Sequence, residues 1–170
     1  NTTGGANTAV GVNCMQACTT GSNNTGLGNS AFDDLTTGSQ NVAVGQDTLS
    51  ALTTVSNCTA VGYQALASNT SGQENTAFGS QCLDGNTNGN YNDAFGRDAL
   101  GVGSGFSQCC AFGNSALKMN TGDDNTAFGF VALGANTTGA ENVAVGGQAL
   151  DACTTGETST AVGFKALTSM

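Results

Sequence analysis

Residues 58–66, Cys58-Thr59-Ala60-Val61-Gly62-Tyr63-Gln64-Ala65-Leu66, are one copy of a unit that the chain writes ten times. The glycine of each copy falls at Gly11, Gly28, Gly45, Gly62, Gly79, Gly96, Gly113, Gly129, Gly146 and Gly163. Successive markers are 17 residues apart, except for a step of 16 from Gly113 to Gly129, so ten units account for the 170 residues. A period of this size is too short for a pair of helices and suits one coil of a solenoid. Each copy reads as a short strand, the marker glycine, a second short strand and a polar turn. NVAVGQDTLSALTTVSN from Asn41, NTAFGSQCLDGNTNGNY from Asn75 and NVAVGGQALDACTTGET from Asn142 keep this pattern best. The sequence therefore predicts an all-β parallel β-solenoid, or β-roll, of ten 17-residue coils, with residues 1–170 as one repeat domain. Both ends cut into the pattern, so the segment is expected to belong to a longer chain.

Reading down the columns predicts the walls of the core. The residue before the marker is Val10, Leu27, Val44, Val61, Phe78, Phe95, Phe112, Phe128, Val145 and Val162. Four residues after it stand Met15, Phe32, Leu49, Leu66, Leu83, Leu100, Leu117, Leu133, Leu150 and Leu167. These two ladders are expected to face inward. Neighbours in a strand point to opposite faces. The column before the first ladder, Ala9, Ala43, Ala60, Ala77, Ala94, Ala111, Ala127, Ala144 and Ala161, would then face outward, with Gly26 as its one interruption. An outward row of alanines asks for close approach by another backbone, so this column is the expected assembly face. The competing reading is that alanine is merely small at a crowded corner.

The opening column is Asn7, Asn24, Asn41, Asn75, Asn92, Asn125 and Asn142, with Cys58 and Cys109 among the interruptions. Stacked coils would set these amides about 4.8 Å apart, where they can bond in a ladder. The marker glycine is expected to hold a backbone angle that a Cβ forbids. The recurring Thr-Thr-Gly reads as a turn with positive φ at its glycine. The shortened copy is expected to have lost its residue between Leu117 and Thr121, ahead of the turn.

Composition excludes several functions. A formal charge of −9, with Arg97, Lys118 and Lys165 the only cations, is a poor match for nucleic acid or an anionic membrane surface. No apolar run approaches the roughly 20 residues of a membrane-spanning helix. With no histidine and no nucleophile in a recognisable setting, no enzyme is expected and no cofactor is implied. Asp33-Asp34 and Asp123-Asp124 offer the only acidic pairs, a weak case for calcium because the glycine-aspartate nonapeptide of calcium β-rolls is absent. The seven cysteines read either as small buried hydrophobes or as bridges between columns or chains. Asn-x-Ser/Thr sites occur at Asn1, Asn23, Asn57, Asn69 and Asn136; Asn1, Asn69 and Asn136 share one turn position, expected to be exposed and open to glycosylation. Ice binding is weighed on Thr8, Thr25, Thr59, Thr76, Thr126 and Thr160. Val42, Asp93, Cys110 and Val143 interrupt that column, and no second threonine stands two residues away.

The stretches NVAVGQ, NTAFGS and NVAVGG resemble the head repeats of trimeric autotransporter adhesins. They are more similar still to the Asn-Thr-Ala-Val-Gly-x-x-Ala-Leu repeats of phage and giant-virus fibre proteins. Val42-Ala43-Val44-Gly45 and Val143-Ala144-Val145-Gly146 fit the adhesin motif best, while threonine elsewhere replaces its inward valine and the unit is longer. The resemblance implies a left-handed roll and three chains side by side. It also implies an adhesive role that is extracellular, at a cell surface or on a virion surface. The expected function is thus a structural fibre or filament segment serving reach and display, self-associating as a homotrimer or end-to-end filament, with a cell-surface or glycan ligand. An ice-binding solenoid is the alternative, and a solenoid polysaccharide lyase is third.

Overall fold

A computed structural model describes residues 2–168 of the chain. Ten three-residue strands follow one another: β1 (Thr8–Val10), β2 (Thr25–Leu27), β3 (Val42–Val44), β4 (Thr59–Val61), β5 (Thr76–Phe78), β6 (Asp93–Phe95), β7 (Cys110–Phe112), β8 (Thr126–Phe128), β9 (Val143–Val145) and β10 (Thr160–Val162). They form a single ten-stranded sheet in sequence order, and every pairing is parallel. The chain is an all-β parallel solenoid. Equivalent residues pair across the whole array, as in Ala60 with Ala77 and Ala94 with Ala111. At about 4.8 Å per coil the stack is roughly 48 Å long.

Each coil has one strand where the sequence predicts two. The segment carrying the Leu column is a chain of turns, because two of its residues are left-handed. Three non-glycine residues per coil have positive φ, for example Asn57 (65°), Gln64 (55°) and Leu66 (52°) in the coil of β4. A Cβ makes this region costly, by about 1–2 kcal/mol per residue. The conformation persists because backbone bonds between coils fix it: Gln64 N–H donates to Gln46 O at 3.0 Å, and Leu66 N–H to Cys82 O at 3.0 Å. The marker glycine sits at φ of 129–146° in every coil. A Cβ on Gly28 would also stand 2.6 Å from the carbonyl carbon of Gly45, so the position excludes side chains twice over.

The two faces of the strand are reversed from the expectation. Ala43, Ala60, Ala77, Ala94, Ala111, Ala127 and Ala144 are fully buried within one chain, and Ala161 nearly so. The inside of a coil is narrow, and only a methyl fits opposite the inward Leu column. The bulkier Val/Phe column therefore points out, and none of its ten members is buried. Ala9 alone of its column is exposed, in the first coil. The Leu column does face inward, with Leu49 through Leu150 fully buried.

A third interior wall stands seven residues after each marker: Cys18, Leu35, Leu52, Asn69, Asn86, Gly103, Asn120, Asn136 and Cys153, all buried. Where this wall lacks a side chain, at Gly103, the buried ring of Phe106 fills the space. The shortened coil lost its residue within the turn, not ahead of it. Asn136 Nδ2 still bonds Asn120 Oδ1 and Thr121 Oγ1 still bonds Thr137 O, so the gap lies between Thr121 and Gly122. Sheet register is untouched there, with Ala111 opposite Ala127.

Candidate assembly face

The outward strand face carries two columns. One is Val10 through Val162; the other, two residues earlier, is Thr or Val with Asp93 and Cys110 inserted. In the middle of the first column four rings stack along the array. Phe78 and Phe95 centroids lie 5.1 Å apart, Phe95 and Phe112 4.5 Å, and Phe112 and Phe128 5.3 Å, with ring planes within 18° of parallel. The rings face each other and turn their edges to solvent. Exposure reaches 71% at Val162 in the last coil and 57% at Phe128. Val12, Tyr63, Phe130 and Phe164, each next after a marker glycine, add exposed apolar side chains along one flank. Sequence reading missed that flank because six of its ten positions, Asn29, Gln46, Ser80, Arg97, Asn114 and Gly147, are polar or glycine.

The two columns make a strip roughly 48 Å long and 10 Å wide, on the order of 500 Å². The largest apolar patch on a typical monomer is about 300–600 Å² and often functional. The strip is of that size, and its Val/Phe column is the part that is apolar throughout, six of the ten residues of the other column being threonine. With the flanking column it approaches the roughly 800 Å² that each partner contributes to a standard interface. Asp93 is the one charge in the two columns.

The asparagine ladder lies inside the coil. Asn24 Nδ2 donates to Asn7 Oδ1 at 3.1 Å, Asn41 Nδ2 to Asn24 Oδ1 at 3.2 Å, Asn92 Nδ2 to Asn75 Oδ1 at 3.0 Å and Asn142 Nδ2 to Asn125 Oδ1 at 3.1 Å. Each amide also donates to the turn carbonyl of its own coil, as Asn24 does to Gly38 O at 2.8 Å and Asn75 to Gly89 O at 2.7 Å. These bonds tie strand to turn and coil to coil. All but Asn7 are fully buried. This is a device of stability, closed to any ligand.

Cys58 and Cys109 break the ladder, and both breaks are filled. Eleven residues on, Asn69 Nδ2 donates to Gly72 O at 2.8 Å and approaches Cys58 Sγ at 3.8 Å. Asn120 does the same for Gly122 O at 2.7 Å and Cys109 Sγ at 3.4 Å. Asn69 and Asn136 are thus inward, fully buried residues and not exposed glycosylation sites. Asn1 lies outside the described residues. Asn23 and Asn57, by contrast, are exposed at left-handed corners.

The cysteines are all free thiols. Cys18, Cys58, Cys82, Cys109 and Cys153 are buried, filling the place of a small hydrophobe. Burial pushes the thiols of Cys82 and Cys109 up to about 12. The Thr-Thr-Gly turns stack through hydroxyls, Thr19 Oγ1 to Thr36 O at 3.1 Å and Thr137 Oγ1 to Thr154 O at 2.8 Å. Their glycines do not have the expected positive φ. They are required by close approach, since a Cβ on Gly38 would collide with the carbonyl of Val55. Among the acidic pairs, Asp123 Oδ1 accepts from Ser107 N–H at 2.8 Å and Asp33 Oδ1 from Gln16 Nε2. Among the described residues no three metal-ligating side chains gather.

Fold and surface together define a β-solenoid repeat protein with coils of 17 residues. No family model matches the chain, and no curated protein or solved structure matches it either.

Proposed function

We propose that this chain is a structural repeat segment of a fibre or filament outside the cell or on a virion surface, giving reach and display and self-associating side by side. The observation that carries the reading is the outward Val/Phe column. It runs unbroken through ten coils and culminates in the Phe78, Phe95, Phe112 and Phe128 stack. Repetition at one spacing makes such a surface self-complementary at every level, which favours symmetric association of identical chains. A homotrimer places three copies of the strip around one axis. The left-handed winding and adhesive role implied by the resemblance to adhesin and viral-fibre repeats belong to the same proposal, as does a cell-surface or glycan ligand. The test is solution mass by light scattering, with and without reductant. About 50 kDa, three times the 16.7 kDa chain, is expected in both conditions, because association rests on packing and five of the seven thiols are buried.

Ice binding is the second reading, and one observation favours it. The structure sets Thr8 with Val10, Thr59 with Val61 and Thr160 with Val162 on the same outward face, in ranks repeated along the sheet. Four phenylalanines in the middle of that face weigh against a flat lattice match. Thermal hysteresis at low protein concentration would promote this reading over self-association.

A further inference from the structure

The regular array fails at one place. In three successive coils the segment after the Leu column reads Asp84-Gly85, Gly101-Val102 and Lys118-Met119. Gly85 N–H bonds Gly101 O at 3.0 Å and Val102 N–H bonds Lys118 O at 2.9 Å, so these segments are stacked neighbours. Gly101 therefore stands between Asp84 on one side and Lys118 on the other. An open notch of about 540 Å³ lies over Gly101, walled also by Ser68, Gln81 and Asp98.

The ion pairs of the described residues meet here. Arg97 Nη1 lies 3.2 Å and Lys118 Nζ 3.6 Å from the same oxygen, Asp98 Oδ2. Both nearby cations are thus engaged by Asp98, and the third cation of the chain, Lys165, is in the last coil. Asp84 has no ion-pair partner among the described residues. Its burial, with the Asp98 carboxylate beside it, raises its pKa above the usual carboxylate range. The rest of the wall is an amide, a hydroxyl and one apolar side chain, Val102.

We propose that this notch binds a small ligand carrying a primary ammonium group beside hydroxyls, the chemistry of an amino-sugar unit, with Asp84 as its ion-pair partner. The Lys118 charge acts on Asp84 without a direct ion pair. A ligand ammonium brings three donors and that direct pair, and charge-assisted bonds are about twice as strong as neutral ones. Gln81 and Ser68 supply the donors and acceptors that neighbouring hydroxyls need. No aromatic ring lines the notch, so a flat apolar ligand has nothing to stack on. Two carboxylates fall well short of the six to eight oxygens that calcium takes. The site needs only one chain, so it stands or falls separately from side-by-side association.

The test is an NMR titration of the full chain with glucosamine, glucose and calcium chloride in turn. Glucosamine is expected to give saturable shifts at the amides of Gly85, Gly101 and Lys118. Asp84→Asn is expected to weaken binding about tenfold or more, and glucose to bind more weakly by a similar factor. Ser68→Phe, which fills the exposed rim and leaves every charge in place, is expected to abolish the shifts. Thermal melts of both variants confirm that they are folded. Absence of saturable shifts with glucosamine overturns the proposal. So do equal binding of glucose, calcium shifting these amides where glucosamine does not, or unchanged binding in either folded variant.

Discussion

Gly26 faces Phe32; Gly26 is the exception in its column, and Phe32 is one of two in its own, with Met15. A Cβ on Gly26 would stand 2.7 Å from Cys14 Sγ, 3.0 Å from Met15 Cε and 3.3 Å from Phe32 Cδ2. The one coil without an inward alanine is thus the one whose inward leucine is phenylalanine, and the ring shares the volume the methyl gives up with Cys14 Sγ and Met15 Cε, which stand closer. Gly26→Ala alone is expected to destabilise the chain by about 1–3 kcal/mol through overpacking. Phe32→Leu alone leaves a void and costs about 1–2 kcal/mol. The double variant removes the ring from beside the new methyl while Cys14 and Met15 stay, and should recover part of the loss, a coupling of about 0.5–1 kcal/mol in a denaturant double-mutant cycle. Additive effects would contradict the pairing.

A second compensation links Asn69 to Cys58. Asn69 holds the Gly72 carbonyl at 2.8 Å and receives the Gly72 N–H at 3.0 Å. Asn69→Leu leaves both groups buried without that partner, at about 1–3 kcal/mol. Adding Cys58→Asn recreates the arrangement of the coil of β3, where Asn41 serves the Val55 carbonyl beside an inward Leu52. Urea unfolding should show Cys58→Asn rescuing Asn69→Leu.

Strain at left-handed residues is also testable. Val131 is β-branched and sits at φ 56°, where only glycine and asparagine rest easily. Val131→Asn is expected to stabilise by roughly 0.5–1 kcal/mol, seen as a rise of about 2–4 °C in Tm. A fall in Tm would mean that packing of the valine outweighs its backbone cost.

Buried thiols make stability depend on alkaline pH. The unfolded thiol titrates at about 9.0, while in the folded chain burial pushes Cys82 and Cys109 up to about 12. Above the unfolded pKa the unfolded chain releases protons that the native chain retains. Stability from these residues is complete below pH about 9 and is lost as pH rises toward about 12. Denaturation midpoints measured from pH 8 to 11 should fall, and Cys82→Ala should flatten the decline. Alkylation of the folded chain near pH 8 should reach Cys14 and Cys110, which are partly exposed, long before the buried five.

The period, the parallel stacking, the glycine marker and the asparagine ladder were all legible in the residues, because each repeats in register. What failed to read was direction. Alternation says that Ala60 and Val61 point opposite ways, but not which of them points in. That choice rests on the interior width, which the left-handed turns after Gly62 narrow to the size of a methyl. Those turns were invisible because leucine and glutamine do not announce positive φ as glycine does. The third wall was hidden for another reason: Leu52, Asn69, Gly103 and Cys153 share no chemistry, only a position. The exposure assigned to Asn69 and Asn136 went wrong with it.

The central claim is that the outward Phe column is covered by other copies of the chain. Light scattering on Phe95→Asp/Phe112→Asp, beside the wild type and with circular dichroism to confirm the fold, tests it most directly. The wild type should weigh about 50 kDa and the folded variant 16.7 kDa. A wild type at 16.7 kDa, or a folded variant that keeps the wild-type mass, would contradict it.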